Sequence, residues 1–132
     1  MSILIGLHIS RSLTANNAIK DKIGNRLFPL VVPLGVDKFP YIVYDTTGST
    51  GDMTKDGSVE DTATVQLSVV AKGYREALEL AQLVRYELEG KNAEYDEFIV
   101  KQDGGVQYND EYIEQFDAYA VNLVIGFKTI DK

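Results

Sequence analysis

The sequence predicts an α+β domain: a mostly antiparallel sheet of about four to five strands packed against one main helix, with a short helix near the N-terminus. Two stretches carry the strand signal. Ala63, Val65, Leu67, Val69 and Ala71 alternate with polar residues, and Tyr119, Val121, Leu123, Ile125 and Phe127 alternate in the same way. Between them, "YREALELAQLVRYELEG" switches to helical spacing, with Ala77, Ala81, Val84 and Leu88 on one stripe and Leu80 and Leu83 widening it. The chain has 132 residues, 45% of them apolar, which suits one domain (1–132) with one core.

The elements follow in order. At the N-terminus, Ile3, Ile5, Leu7 and Ile9 alternate as in a strand, while Ile3, Leu4 and Leu7 also suit a helical face. The segment lacks a basic start and turns polar by Ser10, so it reads as a core element rather than a signal peptide. Residues 13–23 read as a helix, with Thr14 or Asn16 as its cap, Ile19 and Ile23 on one face and Gly24 as its stop. "RLFPLVVP" reads as a short edge strand, because Pro29 and Pro33 lack ladder donors. "FPYIVYDTT" and "TATVQLSVVAK" form a hairpin around a polar loop over residues 46–61, and the main helix runs over 74–89. "EFIVKQ" then leads through a loop, "DGGVQYNDEY", into the closing strand. The expected core is Leu67, Val69, Ala81, Val84, Leu88, Val121, Leu123 and Ile125.

The net charge of −7 is localised. From Glu94 to Asp117 there are eight acids against Lys101 alone, and the remaining twelve acids and twelve bases cancel. An acidic surface argues against nucleic-acid binding, which needs clustered Lys and Arg. No run of about 18 apolar residues is present to span a membrane as a helix. With no cysteine there is no disulfide, thiolate metal site or cysteine nucleophile.

The residue inventory also argues against an enzyme. His8 is the single histidine and sits in an apolar run, and neither a nucleophile elbow nor a phosphate-binding loop occurs. Asp52, Thr54, Asp56 and Gly57 imitate the start of a calcium loop, but Ala63 stands where the bidentate glutamate belongs. No cofactor and no metal are therefore expected.

In succession, "IGNRLFPLVVP", "KFPYIVYD", "TKDG" and "DTATVQLSVVAKGYREALELAQLVRYEL" resemble the tail-completion, or tail-terminator, proteins of long-tailed bacteriophages. The arginine followed by a hydrophobic-Pro strand is matched by Arg26, Leu27, Phe28 and Pro29, and the next strand by Phe39, Pro40, Val43 and Tyr44. The helix start is matched by Tyr74, Glu76 and Ala77, and its continuation by Leu80, Ala81, Val84 and Arg85. The resemblance covers roughly residues 13–130 and is loosest in the last hairpin. It implies a non-catalytic α+β protein that forms a ring, six-fold in symmetry, on the head-proximal end of the tail tube. That ring stops tube polymerisation and presents a surface to the head connector proteins. It implies assembly in the cytoplasm of a bacterial host, then residence in the virion tail. Two other readings stand beside it: a head–tail connector of the same virion region, and a small cytosolic domain with a ligand cleft beside the 74–89 helix.

Two candidate sites follow. Under the resemblance, Thr47, Ser49, Thr50, Asp52, Met53, Thr54, Lys55 and Asp56 of the polar loop order against a neighbouring subunit or the tube; otherwise the loop is a tip without a role. Asp103, Asp110, Glu111 and Glu114 of the acidic segment line a DNA channel, meet a basic partner, or serve solubility alone.

Overall fold

The computed structural model describes the backbone of residues 4–53 and 59–132, and the side chains of residues 4–46 and 61–132. The elements are α1 (Ile5–Ala15), α2 (Asn17–Ile23), β1 (Leu27–Pro29), β2 (Tyr41–Met53), β3 (Val59–Ala71), α3 (Tyr74–Leu88), β4 (Asn92–Glu94), β5 (Phe98–Ile113) and β6 (Ala118–Asp131). Among the described residues they build an α+β fold with three α-helices and one six-stranded sheet, in the order β1-β2-β3-β6-β5-β4. Only β1 against β2 is parallel among the described residues. The short edge strand expected at "RLFPLVVP" is β1, but four to five strands and one main helix were too few, because the three-residue strand β4 and a full N-terminal helix complete the fold.

At the N-terminus the helical periodicity wins over the alternation. Ile5, Ile9 and Leu13, spaced by four, are fully buried, whereas Leu7 turns outward. The helix expected over 13–23 is divided at Asn16: its side chain accepts from the Ile19 amide at 3.1 Å and starts α2, which stops at Gly24 in a left-handed conformation (φ 61°).

The register links the sheet in rows. Leu27, Ile42, Val69, Val121 and Asp110 lie in one row, and Pro29, Tyr44, Leu67, Leu123 and Tyr108 in another. The helices cover one face, and the main core forms there from α1, α2, α3 and the inward positions of β2, β3, β5 and β6. Every residue the periodicity assigned to the core, from Leu67 and Val69 through Leu88 to Ile125, is buried. A second, smaller cluster forms on the opposite face, where Phe28, Val32 and Phe39 pack on Tyr41, Val70, Ala118 and Ala120. That face is otherwise polar: Ser68 Oγ donates to Asn122 Oδ1 (2.6 Å), and Asn122 Nδ2 donates to Asn109 Oδ1 (3.0 Å).

Two expected loops are strands. Most of the 46–61 loop continues the hairpin: β2 pairs with β3 out to Met53↔Val59, with a register shift at Thr46/Gly48. β3 also has a partner on its other side there, since Glu60 pairs with Ile130. Glycines and threonines disguised this as a loop, because a strand inside a sheet takes its hydrogen bonds from neighbours rather than from its own composition. Likewise, "DGGVQYNDEY" belongs to β5, with an irregularity between Gln102 and Val106. There the β5 backbone bends over β6: a Cβ on Gly126 would lie 2.7 Å from the Asp103 carbonyl oxygen, so only glycine fits. The true β5–β6 turn is Glu114–Phe116, closed by Asp117 in the left-handed region (φ 49°).

Candidate assembly surfaces

The polar segment singled out in the sequence lies on an outer strand. Beyond Tyr44, where β1 ends, β2 has a strand neighbour on one side only among the described residues. Thr47, Ser49, Thr50, Asp52 and Met53 lie along this edge of β2, and Thr54, Lys55 and Asp56 fall outside the described residues. Strand edges present backbone donors and acceptors to whatever lies beside them.

The four acids do not form one cluster. Asp110 shares the helix-covered side with Val121 and accepts a hydrogen bond from the Tyr74 hydroxyl. That bond raises the tyrosine's pKa, because ionisation would place two anions together. Glu111 faces the other side beside Ala120, Glu114 sits in the turn, and Asp103 lies in the irregular segment 3.9 Å from Lys128. Asp110 and Glu111 lie on an open edge. β4 pairs with β5 over Ile99–Lys101 only, so from Val106 to Ile113 the outer side of β5 has no strand neighbour among the described residues. Between residues 102 and 127 there are five acids and no lysine or arginine.

The structure adds apolar surface that composition did not single out. Beside the outer part of β5, Tyr108 is 64% exposed and Tyr112 51% exposed, with Tyr74 and Leu78 nearby on α3. On the opposite edge of the sheet, just after β1, Leu30 and Val31 are each 69% exposed, and Leu34, wholly exposed, lines a cleft with Gln115 and Phe116 of the β5–β6 turn. Leu30 also takes a left-handed conformation (φ 68°), which a leucine adopts at a cost. The signal for this patch was the run "LFPLVVPLG": too apolar for a surface loop, yet broken by prolines that bar a longer strand. Two clefts flank the segment: one of about 590 Å³ between Phe39, Tyr41 and Phe116, and one of about 400 Å³ lined by Arg26, Phe28, Val36 and Lys38. Arg26 fixes the second, donating through Nε to the Pro40 carbonyl (2.9 Å) and through a terminal nitrogen to the Lys22 carbonyl (3.2 Å). The groove beside α3 is smaller, about 210 Å³.

His8 is buried on α1 against Phe127, with Nδ1 2.7 Å from the Tyr95 hydroxyl. Burial holds its pKa down at about 4 against a weaker upward pull from Glu87. A neutral, buried imidazole packed among aromatic rings is a core residue. Among the described residues, no three His, Asp or Glu side chains are grouped to hold a metal ion.

No known protein-family profile matches the chain, and no curated protein does. Its fold is similar to that of a chain in the virion of a native gene transfer agent particle, with a TM-score of 0.65 and 16% sequence identity. The likeness covers 92% of this chain and 91% of that one.

Proposed function

We propose that this chain is a structural protein of a phage-like virion, and that it forms the ring capping the head-proximal end of the tail tube. The observation that supports the reading most is the likeness in fold, over 92% of this chain, to a chain of a virion particle. The succession of tail-terminator-like motifs, from Arg26–Pro29 through Tyr74–Arg85, narrows the place within the virion to the tail. The role is mechanical and uses no cofactor. One face of the ring matches the last ring of the major tail tube protein, and the other refuses a further tube subunit and receives the head connector proteins. The protein assembles in the host cytoplasm and remains in the finished tail. In this reading the outer β2 edge, with Thr47, Ser49 and Thr50, contacts the tube or the next subunit. Asp103, Asp110, Glu111 and Glu114 lie on the β5 side of the subunit.

The head–tail connector reading uses the same fold and the same particle. The two separate in a host carrying an inactivated gene. Loss of a terminator gives tails of uncontrolled length that join no heads, whereas loss of a connector gives tails of normal length that join no heads. Tails of normal length already joined to heads would refute both. The ligand-binding reading expected a cleft beside α3, but the groove there, about 210 Å³, falls below the roughly 300 Å³ at which small-molecule sites begin.

A further inference from the structure

The two side edges of the sheet differ in a way that specifies how copies of this chain meet. The β1 edge carries exposed Leu30 and Val31 together with Lys22, Arg26 and Lys38, against Asp37. The β5 edge carries exposed Tyr108 and Tyr112 together with Asp110, Glu111, Glu114 and Asp117, while the bases beside it are engaged within the subunit, Arg85 with Glu89 and Lys72 with the Phe116 carbonyl. The rows through the sheet put these edges at one level, since Leu27 stands in the row of Asp110 and Pro29 in the row of Tyr108.

We propose that the β5 edge of one copy docks against the β1 edge of the next, head to tail. Tyr108 and the β5 acids meet Leu30, Val31 and the cleft that Arg26, Phe28 and Lys38 line. The inference deepens the ring-forming reading and rests on it for the occupant, a second copy. Charge selects the geometry. A two-fold contact of β5 on β5 would oppose the exposed acids of both copies, and a β1-on-β1 contact would oppose Arg26 and Lys38 of both. Opposite signs on opposite edges instead favour a heterologous contact, which repeats until the ring closes. The aromatic and aliphatic side chains supply the desolvated centre of the contact, and the outer β5 backbone supplies its hydrogen bonds. The left-handed Leu30 fits this role, because its conformation holds a large apolar side chain out of the monomer's own core.

The test uses two full-length variants in sedimentation velocity. The first, Tyr108→Ser with Glu111→Gln and Glu114→Gln, removes the β5 edge. The second, Leu30→Asn with Val31→Ser and Lys38→Gln, removes the β1 edge. All six positions are exposed, and asparagine tolerates the left-handed conformation, so both variants should melt as cooperatively as the parent. The parent should sediment as an oligomer that weakens as salt rises, and each variant alone as a monomer. An equimolar mixture should give a dimer and nothing larger, because each pair retains one intact contact. A monomeric parent, a variant that still assembles, or a mixture that stays monomeric would overturn the proposal. A closed oligomer built through these edges that leaves tail length uncontrolled would refute the capping function and leave this inference standing.

Discussion

Replacing His8 with glutamine should make the protein less sensitive to acid. In the folded chain the imidazole is 2% exposed and its pKa lies at about 4, against an ordinary value of 6.5. The folded state therefore binds this proton more weakly than the unfolded state. The sign follows: the stabilisation from keeping His8 neutral is complete above pH 6.5 and is lost as pH falls from there toward 4. With these two pKa values the loss is about 1.4 kcal/mol at pH 5.5 and about 3 kcal/mol at pH 4. Glutamine keeps a polar group near the Tyr95 hydroxyl but does not titrate, so the variant starts lower at neutral pH and loses less on acidification. Urea unfolding of both proteins at pH 7.5, 5.5 and 4.5 isolates the difference, since other groups contribute alike to each. The stability gap between parent and variant should narrow by about 1.4 kcal/mol between the first two pH values. A gap that stays constant would mean that His8 protonates in the folded state at its ordinary pKa, and that water reaches it.

Other consequences are equally direct. Val84→Asp and Leu123→Asp each bury an unpaired charge in the main core, and circular dichroism should find neither variant folded; a cooperatively melting Leu123→Asp would reverse the assigned sheet face. Gly126→Ala sets a methyl group against the Asp103 carbonyl oxygen at 2.7 Å, and should lower stability by about 1 to 3 kcal/mol in urea titrations. Replacing residues 51–61 by Asn-Gly closes the hairpin on the Thr50↔Thr62 pair and should leave a folded monomer that no longer limits tail length. Normal tails from the shortened protein would remove that end of the hairpin from the assembly role.

Where hydrophobic periodicity is strong, the fold could be read from the chain alone. The stripe of α3 and the alternation in β3 and β6 name their buried sides correctly, because burial on one face leaves a period that nothing else in the sequence produces. Strands without that period were hidden. The outer parts of β2 and β5 are built of Gly, Thr, Asp and Asn, and they are strands because β3 and β6 offer paired backbones beside them. Periodicity also left the N-terminus undecided, where Ile5 and Ile9 fit two periods and only the arriving sheet decides between them. For the candidate surfaces, the acidic count could be read but its arrangement could not. Asp110 and Glu111 are neighbours in sequence on opposite faces of one strand, and Pro29 and Tyr108 share a level only through the register of five strands.

The central claim is that this chain ends the growth of a tail tube. The direct measurement is negative-stain electron microscopy of tubes assembling from purified major tail protein, with and without this protein added. The account predicts that the added protein binds one end of each tube as a ring, and that tube length falls as its concentration rises. Tubes of unchanged length with undecorated ends, or protein bound along their sides, would contradict it.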